Sequence, residues 1–368
     1  MKTELKNDLL QLLCPPGNGV YTVHTGGEKR SQLHQILFGK TNQEEVNQAW
    51  KKQVEKLFRS PKHVLLGVTS DAGGGILRGA NWGPLYLREE LYKNEQLPLV
   101  DVGDVRTIPH LLDDKYLNSE TIRLCQEALY GKANHLPVSP LSITEHFCKN
   151  FYLQFPKNKI LGLGGDHSVS YPLCNEWLLH KKNQKKKVAV IHFDAHTDLL
   201  NTRLGIERCF GTWAYQILGQ LAAPDHLIQI GIRSSGRDKA HWENTLGIKQ
   251  FWANEIKTLG VNNILEQIII HLKAKKVTEL YISFDIDAID SDYVSATGTP
   301  EAQGMLPHEA VVIIKTLAEH FTIGSTDLVE VAPHVRTNNN PLAPEPLSTL
   351  MVATQIIKIL SEVMHGDH

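Results

Sequence analysis

Seven short apolar runs, separated by segments with helical periodicity, constrain the fold of this chain more than any other feature. The runs lie at 63–68, 99–102, 159–163, 188–193, 227–232, 279–284 and 326–331. Helical patterns fall between or after them, for instance at 145–155, 211–221, 262–273, 307–320 and 348–364. Continuous apolar strands joined by helices are typical of a parallel sheet that is covered on both faces. The sequence therefore predicts a single three-layer α/β/α domain around a mostly parallel sheet.

The first sixty residues differ from the rest of the chain. They are rich in lysine and glutamine, and the Gly-Pro-rich stretch 15–19 interrupts them. A helical stripe at 43–58 is their clearest periodic pattern. We therefore expect residues 1–60 to form an N-terminal extension and residues 61–368 to form the α/β/α domain.

Charge and cysteine usage exclude several classes of protein. A net charge of −2 and a pI near 6.8 provide no electrostatic reason to expect nucleic acid or an anionic membrane as a partner. The five cysteines are dispersed and form no C-x-x-C pair, which indicates a reducing compartment. We see no apolar run of signal-peptide or membrane-span length. The sequence therefore predicts a cytoplasmic protein.

Three of the predicted strands end in clusters of aspartate and histidine. The clusters are GGDHS at 164–168, DAHTD at 194–198 and DID at 285–287. In a parallel sheet, ligands bind beyond the carboxyl ends of the strands, so the three clusters are expected at one edge. Residues two apart on an extended segment point to the same side. Asp194, His196 and Asp198 can therefore face one point, and Asp285 and Asp287 can do the same.

The charge of these clusters predicts a metal site. Like carboxylates at short range raise one another's pKa, so four converging aspartates need compensating positive charge, which two divalent cations would supply. Each cluster alone could be a turn or a helix cap, but three at strand ends favour metal binding. Oxygen ligands with two imidazoles and no thiolate favour manganese, with nickel, iron or cobalt as alternatives. The six predicted ligands are His167, Asp194, His196, Asp198, Asp285 and Asp287.

With these clusters in view, the sequence resembles the ureohydrolase superfamily of arginases, agmatinases, guanidinobutyrases and formiminoglutamases. The matching segments are GGDHS at 164–168, FDAHTD at 193–198, SFDIDAID at 283–290, ATGTP at 296–300, DLVEVAP at 327–333 and a glycine-rich signature at 67–84. Together they cover the chain from about residue 63 to 360. The resemblance implies an arginase-like fold, two Mn²⁺ ions per chain (with Ni²⁺ possible) and a homo-oligomer, either a trimer or a hexamer.

The resemblance also implies a role for each residue of the site. One ion would be held by His167, Asp194, Asp198 and Asp285, and the other by Asp194, His196, Asp285 and Asp287. Asp194 and Asp285 would then bridge the two ions. Glu330 matches the acidic residue that receives the guanidinium group, and Thr299 lies in the matching active-site loop. The predicted catalytic residues are therefore Asp198, Glu330 and Thr299.

Two departures from the family pattern bear on the substrate. Arginases and agmatinases usually carry a proton-shuttling histidine in the loop after DAHTD, whereas Phe210 occupies that place here. The leaving amine must then take its proton from water or from another group, for which His334 is a weak candidate. Leu200 replaces the asparagine that arginases use for the amino-acid head group, which argues against L-arginine.

We therefore expect a manganese-dependent hydrolase that attacks a guanidinium carbon with hydroxide and releases urea and an amine, in the manner of an agmatinase. Its partner would be a small cationic guanidino or formimino substrate. Because formiminoglutamases also lack the shuttle histidine, a formiminoglutamase-like enzyme stays open, as does a hydrolase of guanidine or another guanidino acid. A homologue without activity is the third reading, and the presence of all six ligands counts against it.

Overall fold

One sheet of nine strands organises the chain in the computed structural model, which describes residues 2–20, 26–75, 77–94, 97–335 and 346–366. In chain order the strands are β1 (Leu13–Cys14), β2 (Val64–Val68), β3 (Val100–Val105), β4 (Ile160–Gly164), β5 (Val188–Phe193), β6 (Leu227–Ile232), β7 (Lys249–Trp252), β8 (Glu279–Asp285) and β9 (Thr322–Val329). They lie side by side in the order β1-β3-β2-β4-β9-β8-β5-β6-β7. β1 runs antiparallel to β3, and every other neighbouring pair is parallel. The predicted mostly parallel sheet is confirmed.

Helices surround this sheet. In chain order they are α1 (Lys2–Leu12), α2 (Gly27–Phe38), α3 (Gln43–Leu57), α4 (Gly83–Asn94), α5 (Ser119–Tyr130), α6 (Pro140–Gln154), α7 (Ser170–Asn183), α8 (Trp213–Gln216), α9 (Lys239–Leu246), α10 (Ala253–Leu259), α11 (Val261–Ala274), α12 (Pro307–His320) and α13 (Pro346–His365). The longest of these, α13, has 20 residues. Among the described helices, none combines the length and the apolar character that crossing a membrane requires.

The alternation of side chains along β5 explains why helices cover both faces. Val188 and Val190 join the apolar core that α6 and α7 cover, whereas Ala189 and Ile191 join the core that α11, α12 and α13 cover. Successive strand residues point to opposite faces of a sheet, so a strand that is apolar throughout must be buried on both sides. The chain therefore folds into the predicted three layers.

The structure differs from the sequence-based prediction at several elements. β9 begins at Thr322, four residues before the predicted start, because Ile323 is the single large apolar residue of its first half, which also contains Gly324. A Cβ at Gly324 would lie 2.6 Å from the Trp177 ring, so the small residue is a packing requirement. The sequence did not predict β7, an edge strand buried only at its two central residues, or the two-residue β1. The helix predicted at 211–221 is limited to Trp213–Gln216, followed by 3₁₀ turns.

The residues before position 61 pack against the β3 edge of the sheet. Asp104, on β3, accepts hydrogen bonds from the backbone N–H groups of Gly17 (2.8 Å) and Gly19 (3.0 Å). The indole N–H of Trp50 on α3 donates to the carbonyl oxygen of Val102 (2.9 Å). These buried hydrogen bonds attach the residues before position 61 to β3 of the same sheet.

Glu176, on α7, provides a test of the buried charge between α6 and α7. Burial, and then the charge of Glu145, raise the pKa of Glu176 to about 7. An acid with a raised folded-state pKa costs stability once it ionises, so the free energy of unfolding falls as pH rises from about 4.5 to 7 and stays reduced above that range. We expect Glu176→Gln to raise the free energy of unfolding by about 2 kcal/mol at pH 8 and much less at pH 5.

Urea denaturation at both pH values measures this effect, with a chelator present throughout so that bound metal does not contribute. Glu319→Gln is the matched control, because Glu319 is exposed on α12 and loses the same charge. An equal gain at both pH values would contradict the assigned ionisation.

Candidate metal centre

Four neighbouring strands bring the predicted site residues together. β4, β9, β8 and β5 lie side by side at the centre of the sheet. His167 follows β4, Glu330 follows β9, Asp287 follows β8 and Asp194 follows β5. Because the four strands are parallel, their carboxyl ends meet at one edge. This edge is where ligands bind in open α/β sheets.

The imidazole of His167 is the centre of a first group of side chains. Its Nδ1 atom lies 3.2 Å from Asp194 Oδ2, 3.2 Å from Asp198 Oδ2 and 3.0 Å from Asp285 Oδ2. The Nδ1 atom is buried and has no hydrogen bond of acceptable geometry to any described residue. Its Nε2 atom is 3.1 Å from the Ser283 hydroxyl. One ring nitrogen and three carboxylate oxygens thus converge on one point, which is the arrangement that a divalent cation requires.

A second group lies around His196. Its Nδ1 atom is 3.4 Å from Asp194 Oδ1 and 3.2 Å from Asp287 Oδ2. The Thr299 hydroxyl donates to Asp287 Oδ2 (2.9 Å), and the Ala195 N–H donates to Asp287 Oδ1 (3.1 Å). Asp287 is therefore oriented by two donors in addition to its contact with the imidazole.

The two groups share one carboxylate. Ligand atoms within 4.8 Å of one another belong to His167, His192, Asp194 and Asp198 in the first group and to Asp194, His196 and Asp287 in the second. Asp194 thus stands between the two groups, where the resemblance to the family implies a bridge. Asp285 belongs to neither group at this distance, although its carboxylate is close to His167. Its bridging role stays a prediction.

His192 is a residue of this centre that the sequence analysis did not single out. It is fully buried on β5, its Nε2 atom lies 2.8 Å from Asp194 Oδ2, and Gln229 Nε2 lies 2.9 Å from its Nδ1 atom. The available signal was its position two residues before Asp194, which puts both side chains on one side of the strand. Because His192 lies within the apolar run at 188–193, the sequence pattern indicated a core position and not a ligand.

The electrostatics of the centre fit bound cations. Burial, and then the charges of Asp287 and Asp194, raise the pKa of Asp285 well above its ordinary value. Burial lowers the pKa of His196, but the charge of Asp287 and a hydrogen bond with Asp194 outweigh it and raise that pKa to about 12. The protein alone therefore holds protons in this site, and divalent cations can take their place.

Two of the predicted catalytic residues have left-handed backbone conformations. Asp198 has φ 51° and Glu330 has φ 65°, which costs about 1 kcal/mol or more for a residue other than glycine. The indole N–H of Trp213 holds Asp198 at Oδ2 (3.0 Å). Glu330 Oε1 accepts a hydrogen bond from the backbone N–H of His167 (2.8 Å). Local contacts thus maintain both strained positions at the site.

The active-site loop predicted around Thr299 passes close to Glu330. A Cβ at Gly298 would lie 3.4 Å from Glu330 Oε2 and 3.0 Å from the carbonyl oxygen of Leu77. Thr299 itself binds Asp287, as described above. The glycine-rich segment, the loop and the carboxylate therefore meet at one place.

Phe210 and Leu200, the two residues that depart from the family pattern, lie on the rim of the site. The Phe210 N–H donates to the carbonyl oxygen of Gly73 (3.0 Å), and Leu200 is 43% exposed. His334, the weak proton-transfer candidate, is exposed and engaged elsewhere. Its Nε2 atom is 3.1 Å from the Tyr86 hydroxyl, and its ring packs edge-on against Tyr86 and Trp82.

Comparison with known proteins adds a family match. Residues 61–360 match the arginase family model. The human mitochondrial guanidino acid hydrolase is 29% identical over 290 residues, which cover 75% of this chain and 72% of that protein. An agmatinase from Enterobacter sp. (strain 638) is 31% identical over 205 residues, which cover 54% of this chain and 61% of the agmatinase.

Solved structures share the fold at low sequence identity. Proclavaminate amidino hydrolase from Streptomyces clavuligerus superposes with a TM-score of 0.62 at 23% identity, over 82% of this chain and 91% of that one. Formimidoylglutamase from Bacillus subtilis superposes with a TM-score of 0.64 at 20% identity, over 83% of this chain and 88% of that one. These similarities support the arginase-like architecture.

Proposed function

The chain belongs to the arginase family, and from that premise we propose that it is a binuclear-metal hydrolase that cleaves a C–N bond of a linear guanidino compound. The products would be urea and an amine. The observation that carries this proposal is the buried His167 Nδ1 atom, which faces three carboxylates and has no hydrogen bond of acceptable geometry to any residue that the structure describes. The names of the guanidino acid hydrolase and agmatinase relatives point to the same class of substrate.

The donor set supports Mn²⁺, with Ni²⁺ as the alternative. The residues around the two groups offer carboxylate oxygens and imidazole nitrogens and no thiolate, a combination that suits these ions better than structural zinc. A pair of such ions, when bound by these residues, would lower the pKa of water so that hydroxide would be available near neutral pH. The six proposed ligands are His167, Asp194, His196, Asp198, Asp285 and Asp287.

Glu330 is the proposed receptor for the cationic substrate. Its Oε1 atom is occupied by the His167 N–H, which leaves Oε2, beside Gly298, for a guanidinium group. Burial, and then the charges of Asp285 and Asp166, raise the pKa of Glu330 well above its ordinary value. A guanidinium that pairs with this carboxylate compensates for the buried charge and thereby stabilises its ionised form.

The other two proposed catalytic residues act by position. Asp198 is held by the Trp213 indole at the carboxylate that faces His167. Thr299 orients Asp287 through its hydroxyl group. Since Phe210 cannot carry a proton, the leaving amine takes its proton from water in this proposal.

Phe210 also favours a second candidate, the hydrolysis of a formimino compound such as formiminoglutamate. That reaction cleaves a C–N bond of the same amidine type and releases formamide instead of urea. Formiminoglutamases lack the shuttle histidine, as this chain does, and the Bacillus subtilis formimidoylglutamase shares its fold. Within the guanidino class, the sequence motifs resemble those of agmatinases, and the relatives include both a guanidino acid hydrolase and agmatinases.

We also propose a cytoplasmic homo-oligomer, a trimer or a hexamer. The location rests on the five cysteines, all of which are present as free thiols. The assembly rests on the resemblance to the family and is measured by light scattering of the purified protein.

A metal count and a substrate screen test the proposed function. The protein is loaded with Mn²⁺ or Ni²⁺, its metal content is measured, and agmatine, 4-guanidinobutyrate, guanidine and N-formimino-L-glutamate are supplied in turn. Urea, ammonia and formamide are quantified. We expect about two ions per chain and release of urea from at least one guanidino compound. Fewer than one ion per chain would refute the site, and full loading without any hydrolysis would refute the enzyme.

A further inference from the structure

The loop at 199–212, here called the rim loop, is attached to the metal centre at both ends. It follows Asp198 directly, and it ends at Trp213, whose indole binds the Asp198 carboxylate. Its two arms are joined by a hydrogen bond from the Leu200 N–H to the Gly211 carbonyl oxygen (3.1 Å). Arg203 and Ile206 pair across the turn at its tip, with hydrogen bonds of 2.9 and 2.8 Å. The loop is therefore an ordered hairpin beside the site.

The glycine-rich segment connects the rim loop to the guanidinium receptor. Gly75 packs against the Phe210 ring, since a Cβ there would lie 3.4 Å from Phe210 Cζ. Two residues later, the Leu77 carbonyl oxygen touches Gly298, which in turn lies against Glu330. Two residues span at most about 7 Å of chain. Phe210 and Glu330 thus stand at two ends of one short stretch of the rim.

Arg203 packs on the Phe210 ring and has no acidic partner among the described residues. Its guanidinium carbon is 4.7 Å from the ring centroid, a cation–π contact that restrains the side chain. Within the described ranges, no carboxylate lies within 4.0 Å of its nitrogens. Arg208, the other basic residue of the loop, differs because Asp113 (2.6 Å) and Glu145 (3.2 Å) already neutralise it. Arg203 therefore keeps its N–H donors for a ligand.

We propose that Arg203 binds a carboxylate at the end of the substrate remote from the guanidinium group, so that the enzyme selects ω-guanidino acids over agmatine. This inference rests on the proposed function and names its substrate class. A guanidinium presents paired donors that match the two oxygens of a carboxylate. The ammonium tail of agmatine would meet a like charge at Arg203. Leu200, the neighbouring rim residue, offers no polar side-chain group that could replace this recognition.

Kinetics with two substrates of opposite tail charge test the proposal. We expect the wild-type enzyme to have a higher kcat/KM for 4-guanidinobutyrate than for agmatine. Arg203→Gln should lower kcat/KM for 4-guanidinobutyrate by about 10- to 100-fold, chiefly through KM, which is the usual range for a single charge-assisted pair. The same variant should leave agmatine unchanged or improved. Arg203→Lys should retain part of the preference, because the charge remains and the paired geometry is lost.

Arg237→Gln is the matched control, because Arg237 is an exposed arginine outside the rim loop. Its kinetics should equal those of the wild type, and metal content should be unchanged in all three variants. An equal loss for both substrates in Arg203→Gln would overturn the proposal, because it would indicate a structural role. A wild-type preference for agmatine would overturn it as well.

Further measurements separate this inference from the proposed function. Calorimetric binding of 4-guanidinobutyrate and of agmatine to the metal-loaded protein reports on Arg203 even without turnover. Tighter binding of 4-guanidinobutyrate that Arg203→Gln abolishes supports the inference, and equal binding of both compounds refutes it. If only N-formimino-L-glutamate is hydrolysed and Arg203→Gln loses that activity, the carboxylate role holds while the urea-forming function fails.

Discussion

Replacing Asp285 with asparagine is expected to abolish the loading of two metal ions and to lower hydrolysis by about 10³-fold or more. The asparagine side chain would keep the size of the original but lose the charge and the second anionic oxygen that a bridge requires. The carboxylate lies 3.0 Å from His167 Nδ1, yet it belongs to neither close ligand group, so this variant decides its role. Metal analysis of the purified protein and an assay of the released product are the measurements.

The same variant should have an opposite effect on the metal-free protein. Burial and the neighbouring carboxylates raise the pKa of Asp285, so its ionised form destabilises the fold when no cation is bound. We therefore expect Asp285→Asn to raise the melting temperature in the presence of a chelator and to remove the further rise that added Mn²⁺ produces in the wild type.

Asp292→Asn is the control for both measurements, because Asp292 is exposed in the loop that follows and loses the same charge. It should load metal and melt as the wild type does. If Asp285→Asn keeps two ions per chain, the bridging assignment is wrong.

Replacing Glu330 with glutamine is expected to lower kcat/KM for a guanidino substrate by about 10²- to 10³-fold while metal loading stays intact. The glutamine amide oxygen can still accept the hydrogen bond from the His167 N–H, so the backbone at His167 should not move. What the variant loses is the negative charge that pairs with the guanidinium group in this buried site. Steady-state kinetics together with a metal count separate substrate binding from damage to the centre.

Two further variants sharpen this result. Glu330→Asp keeps the charge but shortens the side chain, so it should restore part of the activity only if charge is the main contribution. Glu319→Gln, at an exposed position of α12, removes the same charge far from the ligands and should have wild-type kinetics. An unchanged kcat/KM in Glu330→Gln would refute its role as the guanidinium receptor.

Much of the fold was predictable because of a simple relation between apolar runs and buried strands. A strand such as β5 that is apolar at almost every position must be covered on both faces, which dictates a parallel sheet between two helical layers. Elements that lack this signal were missed. β7 is a half-buried edge strand, and the first half of β9 contains the small residue Gly324, which Trp177 covers.

The six proposed metal ligands were predictable for a related reason. Carboxylates and imidazoles that follow apolar strands must lie at the carboxyl edge of a parallel sheet, whatever the order of its strands. That rule applies to residues beyond a strand and not to residues inside one. His192 was therefore overlooked, although it lies directly against Asp194.

The sequence by itself determined the fold class, the edge that bears the site and the residues that surround it. Only the tertiary structure decided which strands are neighbours, because strand order depends on crossover connections that leave no local pattern. Placing β4, β9, β8 and β5 side by side brought His167 between three aspartates. The same long-range packing placed Arg203 above Phe210 with no acidic partner among the described residues, whereas Arg208 pairs with Asp113. Such contacts between residues distant in the chain follow from packing in three dimensions, which periodicity along the sequence does not encode.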